Sequence, residues 1–124
     1  MNTAKATLSN FRQSPRRMRL VANLVRGKDV AQALVNLQFT EKKAALPVRN
    51  LIASALANAK NLDIPTENLV ISKITVDVGK TLHRRRPAAH GSSHPIHKRT
   101  SAIFVELGES TKTKKVRIPK EKVK

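Results

Sequence analysis

Apolar and polar positions along the chain change period several times, and each change marks an element. Residues 3 to 12, TAKATLSNFR, alternate loosely with Ala4, Ala6 and Leu8 on one face, which predicts a strand. The period then lengthens. In SPRRMRLVANLVRG, Met18, Val21, Ala22 and Val25 fall at i, i+3, i+4 and i+7, the single apolar stripe of a helix. Ser14 supplies an N-cap, Pro15 suits the first helical position, and Gly27 can end the helix in a left-handed turn. Asp29 can cap a second, short helix, VAQALVNLQ, with Val30, Ala33, Leu34 and Leu37 facing inward. Thr40 is placed to cap the longest helix, residues 41 to 61, in which Ala44, Val48, Leu51, Ile52, Ala55 and Ala59 keep helical spacing. Pro47 is expected to kink it in its second turn, because an interior proline removes a backbone donor and clashes with the preceding turn. The many alanines imply that another element lies close against it.

Beyond a turn-rich link, LDIPTEN, period two returns. In LVISKITVDVG, residues 69 to 79, Val70, Ile74, Val76 and Val78 share one face and Leu69 and Ile71 the other. In SAIFVEL, residues 101 to 107, Ile103, Val105 and Leu107 alternate against Phe104. These two strands should pair antiparallel as the ends of one hairpin. The order β-α-α-α-β-β predicts an α+β fold, with three helices packed on a small three-stranded antiparallel sheet and a long protruding β-hairpin. Residues 1–108 form one globular domain in this reading, with the arm at 79–100. The tail, 109–124, has seven Lys/Arg and two acids without periodicity, and reads as a solvated or RNA-held extension.

The stretch LHRRRPAAHGSSHPIHKRT, residues 82 to 100, fits no core pattern. Leu82 and Ile96 are its only large apolar residues, and it carries all four histidines and no acid. From Gly79 to Gly91 such a hairpin, at about 3.3 Å per residue, reaches roughly 40 Å. Alone in water it gains little from burial, so its purpose must be to enter something larger.

Charge narrows what that larger thing is. Against 25 Lys+Arg stand 8 Asp+Glu, a net +17, so the chain is expected to sit on a polyanion. With Phe11, Phe39 and Phe104 as the only aromatic rings, it can hardly read bases by stacking them on a sheet. Binding should rest on phosphate and shape instead. Around the first helix, Arg12, Arg16, Arg17, Arg19, Arg26 and Lys28 have only Asp29 nearby to balance them. Guanidinium forks suit phosphate oxygens, and solubility alone does not require six unpaired cations.

Other chemistries find little support. There is no cysteine for a disulfide or thiolate site, no apolar run of about 18 residues to span a membrane, and no secretion-signal core at the start, so a soluble intracellular protein is expected. His90 and His94 are four apart, but Gly91 and Pro95 oppose a helix there, no further ligand is at hand, and nearby arginines repel a dication. His83, His90, His94 and His97 are better read as hydrogen-bonding groups meeting RNA. Ser92, Ser93 and His94 lack an acid to orient the histidine, Asp77 has only Lys80 within reach, and no phosphate-cradling glycine loop occurs. No enzyme, cofactor, metal or small-molecule substrate is expected.

Three segments, NFRQSPRRMRLVANLVRGK (10 to 28), FTEKKAALPVRNLIASALANAKN (39 to 61) and VDVGKTLHRRRPAAHGSSHPIHKRTSAIFVEL (76 to 107), together resemble the ribosomal large-subunit protein L-twenty-two family of bacterial or organellar type. The resemblance implies a body on large-subunit ribosomal RNA that aids assembly, beside neighbouring ribosomal proteins in a cytoplasmic or organellar ribosome. It also implies a hairpin whose tip forms part of the wall of the peptide exit tunnel. Lys80, His83, Arg84, Arg85 and Arg86 on one strand, with His97, Lys98 and Arg99 on the other, would then hold RNA. Ala88, Ala89, His90, Gly91, Ser92 and Ser93 would face the nascent polypeptide. The family usually carries several more Arg or Lys where this chain has Ala88, Ala89, His90, Ser92, Ser93 and His94, so general placement of the tip carries over and its individual contacts do not. A free nucleic-acid chaperone or DNA-architectural protein would share the charge and the proline-bearing arm, but such arms usually come from dimers, and no apolar dimer face is evident. A membrane-active cationic protein would need exposed bulky apolar residues on an amphipathic segment.

Overall fold

The computed structural model describes residues 3–109; the predicted tail beyond Glu109 lies outside them. Strand β1 (Ala4–Phe11) is followed by helices α1 (Pro15–Val25), α2 (Val30–Gln38) and α3 (Ala45–Asn61), then by β2 (Leu69–Val78), β3 (Leu82–Pro87), β4 (Ser93–Lys98) and β5 (Ser101–Glu109). Strands β1, β5 and β2 form one antiparallel sheet in that order, and β3 and β4 form a separate two-stranded ribbon. The three helices pack on one face of the sheet, with the long hairpin extending from it, as the period changes predict.

The core follows the stripes. Met18, Val21, Ala22 and Val25 of α1 are buried, as are Val48, Ile52, Ala55 and Ala59 of α3 and Ile103, Val105 and Leu107 of the central strand β5. Because β5 is paired on both sides and covered on one, its apolar residues alternate with half-exposed ones. Alanines at 44, 45, 55 and 59 are buried, which lets α3 lie close to its neighbours.

Three sequence expectations need correction. The long helix begins at Ala45, not 41, so Pro47 falls in its first turn and does not kink its second. The first turn needs no intrahelical N–H, and a proline is accommodated there without loss. Thr40 does not cap this helix; its hydroxyl donates back to the Asn36 carbonyl of α2 at 2.7 Å. In β2, Leu69 and Ile71 are buried together with Ile74 and Val76 rather than opposite them. A bulge between Ile71 and Lys73 inserts one residue and rephases the strand, while Val78 is left exposed. Ser14 and Asp29 do occupy N-cap positions, but neither side chain makes a capping hydrogen bond.

The outer edge of β2 is covered along its length, and that of β1 is met at one point. Along β2, Gly27 N–H donates to the Ile71 carbonyl and Ile71 N–H to that of Lys28, at 3.1 and 3.0 Å. Gly27 reaches this position with φ +72°, the left-handed turn expected of it. Further along, Arg19 Nε donates to the Val76 carbonyl at 3.2 Å and an Arg26 terminal nitrogen to that of Ile74 at 3.1 Å. On the β1 edge, Asn58 Nδ2 donates to the Lys5 carbonyl at 2.9 Å. Such groups would otherwise stand as a template for another strand.

Candidate nucleic-acid interface

The arm joins the body through a narrow neck. The main ladder ends at Val78 opposite Ser101, and the ribbon begins at Leu82 opposite Lys98. Between them, Gly79 N–H donates to the Thr100 carbonyl at 2.9 Å, and the Thr100 hydroxyl donates to the Lys80 carbonyl at 2.7 Å. Thr100 and Ser101 are buried, so the neck is continuous with the core sheet.

Beyond the neck every residue from His83 to Arg99 is exposed except the half-exposed Ala88. The register places side chains on two distinct faces, since pleating alternates them. Leu82, Arg84 and Arg86 share one face with Lys98, Ile96 and His94. His83, Arg85 and Pro87 share the other with His97, Pro95 and Ser93. Three of the ribbon's four long cations thus lie on one side. Arg85 lies on the other and donates to Ser93 Oγ at 3.3 Å. Nearest the body, His83 and His97 meet edge to face with their Nδ1 atoms 3.1 Å apart, which requires one ring to donate and the other to accept.

The tip is a tight turn. His90 (φ 57°, ψ 35°) and Gly91 (φ 70°) are both left-handed, the backbone of a type I′ hairpin turn. The Ser92 hydroxyl and its N–H both reach the Ala89 carbonyl, at 2.7 and 3.3 Å, and Ala88 N–H donates to the Ser92 carbonyl at 2.9 Å. A histidine tolerates the left-handed region better than branched residues do. The predicted tip residues therefore form one compact, small-residue turn with its hydroxyl turned inward on the loop.

On the body, five of the six predicted cations divide into two groups. Arg19, Arg26 and Lys28 line the outer edge of β2, where each already has a side-chain or backbone bond to the sheet. Arg12 and Arg17 lie instead at the root of the arm. A bulge in β1, with Asn10 at φ 56°, shifts the register between Leu8 and Phe11 just before Arg12. The resulting cleft, of about 570 Å³, is lined by Arg12, Gln13, Ser14, Arg17 and Lys43 from the body and by His97, Lys98 and Arg99 from the arm. Arg16 is exposed on the outer face of α1.

Sequence reasoning missed Gln13 and Lys43, which belong to no periodic charge pattern and reach the cleft only through folding. It also missed Leu20, Leu24, Phe39 and Leu46 as exposed apolar residues. The off-stripe positions of Leu20 and Leu24 in α1 were the available signal. Among the described residues the one salt bridge joins Lys5 to Glu106, at 3.6 Å, so none of the predicted RNA-binding cations has a carboxylate within ion-pair distance there.

The family model described as ribosomal protein L22p/L17e matches residues 6–108. Large ribosomal subunit protein uL22 of Pediococcus pentosaceus is 47% identical over 110 residues, covering 88% of this chain and 93% of that protein. The proteins of the same name from Lactobacillus gasseri and Lacticaseibacillus casei are 46% and 44% identical, each over 88% of this chain and 94% of their own length. A match across the globular body and the whole arm, joined to the acid-free arm, leads to one identification: the chain belongs to the ribosomal protein L22p/L17e family in its bacterial form.

Proposed function

We propose that this chain packs its α1 surface and arm stem on large-subunit ribosomal RNA, aids assembly of the subunit in a cytoplasmic ribosome, and places the hairpin tip in the wall of the peptide exit tunnel. The observation that carries this reading is the arm. A ribbon of six paired residues per strand, exposed along its length and free of acids, has no core of its own to fold against. Its partner must supply both shape and negative charge, and folded RNA supplies both. The stem cations, Lys80, Arg84, Arg85, Arg86, Lys98 and Arg99, anchor the arm, and neighbouring ribosomal proteins flank the body. The turn of small residues faces the nascent polypeptide, where a weakly charged wall lets chains of either sign slide past.

Binding to large-subunit RNA tests the phosphate mechanism directly. If Z phosphates are neutralised, log affinity falls linearly with log salt by about 0.7 to 0.9 per phosphate, and the two basic surfaces predict Z of at least about 6. A flat salt response would remove this mechanism. The tunnel placement is tested by cross-linking from position 89, an exposed tip residue outside the left-handed backbone, where capture of RNA but never of a stalled nascent chain would refute it.

A further inference from the structure

The cleft at the arm's root holds more chemistry than a phosphate-neutralising surface needs. Five of its lining residues, Arg12, Arg17, Lys43, Lys98 and Arg99, are Lys or Arg, and no acid lines it. So many like charges facing one space repel one another unless an anion fills it. Its volume, about 570 Å³, falls within the roughly 300 to 1,000 Å³ of small-ligand sites and exceeds what one phosphate group occupies. A second observation points to the rest of the ligand. Gln13 Oε1, on the cleft wall, is buried without a hydrogen-bond partner. A buried amide oxygen without a partner is costly, and a turn of the half-exposed side chain into the cleft would present either its oxygen or its nitrogen to a base edge.

Resting on the RNA-binding reading above, we propose that this cleft receives a single unstacked nucleotide of RNA, its phosphate held by Arg12, Arg17, Lys43 and Arg99 and its base edge by Gln13. Arginine planes can stack on a base as aromatic rings do, and the cleft is lined by three arginines and no Phe, Tyr or Trp. The site has a structural consequence. Arg12, Gln13, Arg17 and Lys43 belong to the body, whereas His97, Lys98 and Arg99 belong to the arm and its root. An occupied cleft therefore clamps the arm to the body beyond the two hydrogen bonds of the neck. Bound RNA sets the arm's angle at its base, before the tip engages anything.

The test uses the full chain with three probes: a mixed-sequence single-stranded RNA hexamer, the corresponding duplex, and inorganic phosphate. Because the chain lacks cysteine, dyes on Ser54→Cys in α3 and Ala89→Cys at the tip report the arm's angle by energy transfer. The hexamer is expected to narrow the distance distribution, and phosphate alone to leave it broad. Gln13→Leu should weaken hexamer binding about tenfold without changing duplex binding. Lys43→Gln, at an exposed position that folding does not need, should lower the salt slope by about one phosphate's share. Two results overturn the proposal: both variants binding the hexamer as the parent does, or phosphate narrowing the distribution as well as the hexamer. In either case the RNA-binding reading survives if the parent still binds large-subunit RNA with a steep salt slope. Failure of the parent to bind any RNA would sink both.

Discussion

Gly79 is where the arm's attachment is most easily broken. Its φ is not in the left-handed region, so another residue's backbone fits there, and the obstacle is space alone. A Cβ at this position would lie 2.4 Å from Thr100 Oγ1, 3.2 Å from the Thr100 carbonyl carbon and 3.3 Å from its Cβ. The first distance is a hard clash, and Oγ1 is not free to swing away because it donates to the Lys80 carbonyl at 2.7 Å. Gly79→Ala therefore combines overpacking, about 2 kcal/mol, with loss of that hydrogen bond, about 1 kcal/mol, for about 2 to 3 kcal/mol in all. Thr100→Ala alone should cost about 1 kcal/mol, the hydrogen bond. In the double variant the clashing oxygen is gone and its bond already lost. The remaining contacts need a shift of only a few tenths of an ångström, so the pair should cost little more than Thr100→Ala, with a coupling of about 2 kcal/mol. Equilibrium urea unfolding of the free chain measures all three, since Ser101 is fully buried beside the neck and ties it to the cooperative core. Additive costs, agreeing within about 0.5 kcal/mol, would show that Thr100 Oγ1 is not what excludes a side chain at 79.

Deleting residues 84–97 and closing the strands with Asn-Gly should leave the body's thermal midpoint nearly unchanged, because the arm buries no core; loss of cooperative unfolding in this variant would refute that. Arg26→Met should lose about 1 kcal/mol with the bond to the Ile74 carbonyl, whereas Arg16→Met, on the open face of α1, should change urea stability by less than about 0.5 kcal/mol. Equal effects would dismiss the edge-capping role. At the tip, Ala88→Arg with Ala89→Arg should leave subunit assembly intact but slow translation of acidic nascent segments, as read by ribosome profiling. Position 90 is avoided because its left-handed backbone would add strain. Replacing Arg84, Arg85 and Arg86 by alanine should do the reverse, lowering incorporation into subunits first.

Most of the architecture was readable because each period change is a local signal. The stripe of Met18, Val21, Ala22 and Val25 and the alternation of Ile103, Val105 and Leu107 each state which face meets the core. What escaped was set between elements. Ser72 and Lys73 look like ordinary strand positions, and only pairing with β5 shows that the ladder skips a residue there. Pro47 seemed interior because Glu41, Lys42 and Lys43 are good helix formers, yet the helix begins after them. The arm was legible through what it lacks, apolar residues and acids, whereas the cleft was not. Gln13 lies in the β1–α1 turn, Lys43 in the α2–α3 link and Arg99 past the end of β4, and nothing short of the folded neck brings them together.

The division of the arginines bears on how the proposed RNA surface works. A guanidinium carries five N–H donors in a rigid plane, and fixing one of them fixes the directions of the rest. Arg19 and Arg26 each commit one donor to a β2 carbonyl, at 3.2 and 3.1 Å, and both residues remain exposed, with their other donors held in the same plane. Holding a long side chain in place costs about 0.5 to 1.5 kcal/mol on binding, and these two have met part of that cost on folding. The sheet edge and the RNA surface then stand in one relation: the bonds that protect β2 from pairing with another strand also preorganise the cations beside it. Arg16, with no such tether, must be ordered by the phosphate itself. In the RNA-bound state, Arg26→Lys should accordingly lose more affinity than Arg16→Lys although both keep the charge, because lysine carries its three donors on one nitrogen and has neither the fork nor the plane. Equal losses in filter binding at fixed salt would show that charge alone counts on this face.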